Sequence, residues 1–335
     1  MVRQATRCAG RWVVVGAVAD PAGGTRPAMW SSADGAAWSS VPLRALSYYG
    51  HQNVLATVAC RDGRLAAVGA KFGGAHGYPR TSNWAQQPDG SLAEVKEPFA
   101  LFNGSTALNV ADMVAGPAGW LVAGNRMSGA AYWTSTAGER FVLHEALPEL
   151  SSDARGQVFG FAATPVERGW LMVGGIIPAG KGARDPIAWE SADGQRWRRL
   201  PVPAIDRYDE MQAVAPVPGG AVAVGLRAGA FGSWRYAGSG WSAAATFGAT
   251  DGPNPPGVVT VSAGPDRLWA VTRAGGRYRL WHADLAAASW REVLAPAAMP
   301  AQGDNAVGLT SVADGTILLI DDGRSGRVWI SAARR

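Results

Sequence analysis

The run Trp12-Val13-Val14-Val15-Gly16 reads as a buried strand that stops at glycine, and sixteen residues later comes Ser32-Ala33-Asp34-Gly35-Ala36-Ala37-Trp38. Both features recur along the chain. The strand returns as Leu65-Ala66-Ala67-Val68-Gly69, Trp120-Leu121-Val122-Ala123-Gly124, Trp170-Leu171-Met172-Val173-Gly174 and Ala221-Val222-Ala223-Val224-Gly225. Weaker copies lie at Leu268 to Thr272 and Thr316 to Asp321. The spacing, 47 to 55 residues, suits a four-stranded blade, so seven copies predict a seven-bladed β-propeller.

A second marker supports this count. A tryptophan follows each strand after a loop and is expected to open the third strand: Trp30, Trp84, Trp133, Trp189, Trp234, Trp281 and Trp329. No stretch shows a sustained helical period. The expected blades span about 2–45, 46–98, 99–148, 149–203, 204–248, 249–294 and 295–335, in one domain. The innermost strand is typified by Gln212 to Val217, and the outermost by Trp38 to Leu43 and Trp197 to Val202. The last copy stops at Trp329-Ile330-Ser331, so its blade is expected to lack an outer strand. An N-terminal truncation is expected to account for this, one that would also have removed a signal peptide or lipoprotein anchor.

Ser32 to Trp38 has a second good copy, Ser191-Ala192-Asp193-Gly194-Gln195-Arg196-Trp197, and eroded ones at Pro88-Asp89-Gly90, Ala137-Gly138 and Gly238 to Trp241. Asp-Gly between strands signals a hairpin, because glycine accepts positive φ and Asp caps nearby amides. The motif resembles the Asp-box, or BNR repeat, of sialidase-like bacterial propellers. The usual pattern there is Ser-x-Asp-x-Gly-x-Thr-Trp, one residue longer between Asp and Trp. Similar repeats are common in exported bacterial proteins. The resemblance implies the fold and makes Asp34, Gly35, Trp38, Asp193, Gly194 and Trp197 structural turn residues; it implies little about function.

The 335 residues carry a net charge of +5, spread through the repeats and interleaved with acids, which does not favour nucleic acid. No apolar run approaches the roughly 18 residues of a membrane helix. A monomer that is secreted or attached to the cell envelope is expected, with a cytoplasmic location left open. Cys8 and Cys60 occupy similar places in the first two repeats and would face each other across neighbouring blades. Two buried thiols are weighed slightly above a disulfide.

In a propeller the loops from strand two to three share a face with the loops from each outer strand to the next inner one. Both classes read as long here, which places function on that face. Tyr48, Tyr49 and His51 precede blade 2, and His76, Tyr78 and Arg80 fall in its second-to-third loop. His, Tyr and Arg together suit proton abstraction beside a carboxylate. The set looks like that of propeller lyases acting on uronic-acid polymers. Asp206-Arg207-Tyr208-Asp209-Glu210 supplies acids and a tyrosine for a glycosidase. Arg26, Arg80 and Arg184 recur just before their tryptophans, and their convergence would point to a sialidase. The Arg-Ile-Pro signature of sialidases is absent.

Gly175 to Gly182 nearly spells a phosphate loop, but it lacks the Ser or Thr for magnesium and precedes a strand. His144 and His282 read as ordinary sheet residues. No cofactor and no metal site are expected. The preferred reading is a non-catalytic propeller holding a glycan or protein on its long-loop face. An enzyme on acidic glycans is the alternative, a lyase ahead of a sialidase.

Overall fold

A computed structural model describes residues 1–73, 79–238, 240–252 and 254–332. Each recurring apolar strand is the second of its blade: Arg11–Ala19, Arg64–Phe72, Gly119–Arg126, Gly169–Pro178, Gly220–Arg227, Leu268–Ala274 and Gly315–Asp321. Each is flanked on both sides, which is why it reads as continuous apolar sequence rather than as an alternation. The inner strands are Val2–Cys8, Val54–Arg61, Ala107–Gly116, Gly156–Val166, Asp209–Val217, Gly257–Ala263 and Ala306–Val312. Seven antiparallel sheets form a seven-bladed β-propeller, and the last has three strands.

The terminal glycine of the marker strand lies against a crowded neighbour. In six blades the inner strand carries a β-bulge, and the residue just before the bulge pairs with the marker position. In blades 4 and 5 a carbonyl of the inner strand lies close against this glycine. A Cβ on Gly174 would lie 1.8 Å from the Phe159 carbonyl oxygen, and one on Gly225 equally close to that of Glu210. No side chain fits. Blade 6 has Thr272 there instead, and blade 7 has no bulge.

Each bulge turns one extra residue toward the axis: Arg3, Ala56, Ala111, Phe161, Gln212 and Val259. All six line a central channel of about 970 Å³.

The marker tryptophans do not open their strands. Trp30 lies late in Thr25–Ser32 and Trp189 late in Asp185–Ser191. The residues before them mix polar, small and apolar types, with no alternation that marks the strand start. Each tryptophan faces the preceding blade, and Trp84, Trp133, Trp189 and Trp234 are fully buried there.

The turns after them are hydrogen-bonded as the motif suggests. Asp34 accepts the amides of Ala36 and Ala37 at 2.8 and 3.0 Å, and Ser32 Oγ accepts that of Gly35 at 2.8 Å. The Ala37 and Ala36 amides hold the Asp34 carboxyl down at about 2. Asp193 repeats this on Gln195 and Arg196, and Trp38 Nε1 donates to the Gly35 carbonyl.

Two outer strands depart from expectation. Blade 1 keeps only Ser39–Ser40; past Pro42 the chain crosses over, and Leu43–Arg44 pairs in parallel with Leu92–Glu94 of blade 2. Proline has no amide to continue the first ladder. Blade 4's outer strand is only Arg198–Leu200.

Blade 7 meets blade 1 without sharing a strand. Asp321 accepts the Val2 amide at 2.7 Å and Arg3 at 2.9 Å, and Thr310 donates to the Ala5 carbonyl at 2.7 Å. Val2, Ala5, Trp12, Val14, Ile317 and Leu319 form a buried cluster across the junction. Between blades 1 and 2, Cys8 and Cys60 are joined by a disulfide, Cα atoms 5.5 Å apart. The preference for two thiols is corrected, because both inner strands deliver their last turn to the same edge of the channel.

Candidate functional site

The inner strands run away from the face that receives the long connections, so that face holds the outer-to-inner loops and the second-to-third loops. The opposite face has tight turns such as Ala9-Gly10 and Asp62-Gly63, with φ of 45°, 73°, 50° and 75°. The second-to-third loops are long in blades 1, 2 and 4. In blades 3, 5 and 6 the strands run straight into short turns, including Ala228-Gly229 and Gly275-Gly276 at positive φ. The expectation that every such loop is long is therefore corrected.

At blade 2, Tyr48 and Tyr49 meet edge to face at 5.3 Å. The Arg80 guanidinium lies 5.8 Å from the Tyr49 ring centre and 5.1 Å from that of Phe99. Such cation–π contacts hold an arginine on an aromatic bed without ion pairing. Arg80 also lines a small cleft with Leu108. Glu94 fixes the loop beneath. Burial opposes its ionisation, but Ser47 and the Ser47 and Leu46 amides outweigh that and hold its carboxyl below the usual range.

His51 lies in the short turn Gly50–Gln52, on the rim of a groove of about 400 Å³. The crossing of Leu43–Arg44 to blade 2 opens this groove. Val18, Arg26, Met29, Trp30, Val41 and Leu43 line it. His76 and Tyr78, two of the four lyase candidates, lie outside the described residues.

The arginines serve separate contacts. Arg26 and Arg80 lie within third strands, not on loops. Arg26 pairs with Asp20 at 3.2 Å, Arg80 rests on its two rings, and Arg184 pairs with Glu210 at 2.7 Å. Arg184 also lies over Phe159 and Phe161 at 4.6 and 5.6 Å. A sialidase-like convergence on one carboxylate is not formed by these three.

The acidic run is split by the strand start. Asp206 is exposed and Tyr208 39% exposed, but Asp209 and Glu210 open the inner strand and are buried, not in the loop as expected. Glu210 is occupied by Arg184 and by Gln212. Asp209 has no hydrogen-bond partner of ordinary geometry, and Arg227 stands 3.8 Å away. Burial pushes its carboxyl up to about 7, against the pull of Arg227. Neither acid faces solvent as a glycosidase pair requires.

Sequence reading missed three features. Asp112 sits in the channel wall beside the Ala111 bulge, and burial raises its carboxyl to about 6. The split outer strand of blade 1 creates the groove; Pro42 was its only sequence signal. The third is a set of large apolar side chains exposed on the long-loop face: Leu46 (64%), Tyr48 (73%), Phe72 (73%), Phe99 (57%), Leu108 (52%) and Met127 (68%). Among the described residues no cluster of three or more His, Cys, Asp or Glu is placed to hold a metal ion. No helix among them is long and apolar enough to cross a membrane.

No protein-family model matches the chain, and no curated protein matches it. Solved structures do. The chain is similar to YCF48 bound to D1 peptide (12% identity, TM-score 0.56, covering 99% of this chain and 93% of that one). It is also similar to the β-propeller domain of the trilobed protease of Pyrococcus furiosus, described as having an open velcro topology (10%, 0.55, 98% and 92%). A third is the acylaminoacyl peptidase of Pyrococcus horikoshii (10%, 0.53, 98%), of which this chain spans only 50%. At these identities the likeness establishes the fold alone.

Proposed function

We propose that this propeller is a non-catalytic scaffold, acting outside the cytoplasm, that holds a segment of a partner protein on its long-loop face over blades 1 to 3. The exposed aromatic and apolar strip carries this reading. It runs from the groove at Val18 and His51, past Tyr48, Tyr49 and Arg80, to Phe99 and Leu108. Large exposed apolar side chains gathered on one face mark a protein interface more often than a catalytic cleft. Lys71 and Arg80 border the strip, with Arg26 paired to Asp20, and these two cations favour an acidic partner segment.

The Cys8–Cys60 bond supports an oxidising compartment. That a propeller of the same fold is seen with a bound peptide lends support by analogy. A glycan remains the second kind of ligand, and the aromatic rings would stack on it.

The test is selection of a displayed random-peptide library against the wild type, with Tyr48→Ser/Phe99→Ser as the paired target. Expected are peptides combining apolar and acidic residues, bound about tenfold or more weakly by the double variant. Peptides that bind both proteins equally would sink the reading. So would cleavage of a uronic-acid polymer that Arg80→Ala abolishes.

A further inference from the structure

Among the described residues, three charged side chains line the central channel: Arg3, Asp112 and Arg273. Arg3 is neutralised by Asp321 of blade 7 at 2.9 Å. Asp112 and Arg273 have no ion-pair partner among the described residues.

Both depart from the pattern of the repeat. Asp112 follows the bulge of blade 3, where the other bulged blades carry Gln4, Thr57, Ala162, Ala213 and Thr260. Arg273 follows the marker position of blade 6, where the same blades carry Ala17, Ala70, Asn125, Gly175 and Leu226. All ten of those residues are uncharged, so a blade forms without a charge at either place.

Asp112 is held by neutral groups. Its carboxylate accepts the Met113 amide at 2.8 Å and the side chain of Gln4, which reaches it from blade 1. Gln4 in turn accepts the Val58 amide of blade 2 at 2.5 Å. These donors fix the carboxylate but set no cation against it, and burial raises its carboxyl to about 6.

Arg273 is exposed and reaches the channel over Gly257, its partner across the ladder. A Cβ on Gly257 would lie 3.9 Å from Arg273 Nη2 and 3.6 Å from Gln212 Oε1. Gln212 is committed at both polar ends, to Glu210 and to the Val258 amide, and leaves the guanidinium charge unanswered.

Blades 3 and 6 stand three places apart in a ring of seven, the widest separation such a ring allows. Arg273 lies at the long-loop mouth beside Gly257, and Asp112 lies deeper, level with Thr260 in the repeat. The channel thus has one unmatched cation and one unmatched anion on opposing walls. A ligand with a single charge would answer one wall and leave the other unpaired. A ligand charged oppositely at its two ends answers both.

We propose that the channel is a binding site for a small zwitterion whose charges lie at opposite ends, such as a short linear peptide. Its ammonium end lies deep, at Asp112, and its carboxylate end at Arg273 by the mouth. This site is separate from the apolar strip over blades 1 to 3 and does not rest on it.

The probes are diglycine through hexaglycine, titrated onto the full protein by calorimetry. Glycine oligomers carry both charges and no side chain, so length alone sets the span. Affinity should peak at one length and fall on either side of it. At that length, N-acetylation and C-amidation should each weaken binding about tenfold or more, as expected for loss of a hydrogen bond to a charged group. In Asp112→Asn the acetylation penalty should vanish and the amidation penalty remain; in Arg273→Gln the reverse should hold. Should either variant fold poorly, the capped peptides still decide the matter on the unaltered protein. Tyr48→Ser/Phe99→Ser should bind the oligoglycines as the wild type does, which separates this site from the strip. No binding at millimolar peptide, equal affinity for free and capped peptides, or loss on amidation alone would overturn the proposal. Loss of binding in Tyr48→Ser/Phe99→Ser would overturn it too, because the peptides would then lie on the strip.

Discussion

Reducing the Cys8–Cys60 bond should weaken the propeller without opening it. The two cysteines are 52 residues apart in sequence, and the loop between them holds the second, third and outer strands of blade 1. Breaking the cross-link returns loop freedom to the unfolded chain, and the loop-closure relation for that length gives about 4 kcal/mol at 25 °C. The native contacts it spans are independent of it: Val13, Val15, Met29, Leu55, Val58, Leu65 and Trp84 pack blade 1 on blade 2 around Cys8. Cys60 borders the channel and is reachable by a small thiol. Guanidinium denaturation of oxidised and reduced protein measures the difference. With a slope of about 6 kcal/mol per molar, the midpoint should fall by about 0.7 M on reduction. The variant Cys8→Ala/Cys60→Ala should match the reduced protein and ignore reductant. An unchanged midpoint would refute the bond's constraint. Loss of all structure on reduction at 25 °C would refute the claim that interblade packing suffices.

Gly174→Ala and Gly225→Ala should each cost more than about 4 kcal/mol or prevent folding, because the new Cβ meets a backbone carbonyl that the bulge fixes. Gly182→Ala, with open space around it, should stay within about 0.5 kcal/mol; thermal melts of the three compare them directly. Asp209 has its carboxyl raised by burial to about 7, above the unfolded value, so the folded state binds the proton more tightly. Stability from this group is therefore full below the unfolded carboxylate value of 3.8 and lost as pH rises from there through about 7. Asp209→Asn should melt with the wild type at pH 3 and above it at pH 9; a parallel pair of pH profiles would contradict this.

The ring was legible because its core admits few alternatives. A strand flanked by two others and covered by two blades must be apolar throughout, and the marker tryptophan fills a fixed gap against the preceding blade. Both constraints act on residue type at a fixed spacing, so they survive in Val13 to Val15 as plainly as in Leu171 to Val173. The marker glycine was visible but not its setting, since the carbonyl it faces lies in another strand. The crossing at Pro42 was hidden for a related reason. Leu43 and Arg44 have the same residue types whichever blade they pair with, and only the partner Leu92–Glu94 decides. Asp209 and Glu210 look like loop acids by composition; their burial follows from Arg227 and Arg184, one of them in another blade. The cysteines were placed correctly but weighed wrongly, because register one residue apart does not by itself measure the gap between two sheets.

The bulges bear on function as well as on the core. They sit at matching places in six inner strands, and each places its extra residue at the channel, where Arg3 and Gln212 also bond to the neighbouring blade. Those six are Arg3, Ala56, Ala111, Phe161, Gln212 and Val259: one cation, two small residues, one aromatic, one amide and one aliphatic. The marker positions behind them, by contrast, are glycine in five blades of the six. The same fold element thus holds its rear residue constant and frees its front one. Position by position, the repeat keeps the residue behind the bulge nearly constant, while the channel residues differ in chemistry from blade to blade. A ring that is sevenfold in backbone is therefore asymmetric in chemistry along its axis, as it is on the long-loop face. There too the apolar strip occupies blades 1 to 3, while blades 4 and 5 hold Arg184 paired with the buried Glu210. A partner bound on this face would meet one orientation of the ring and no other.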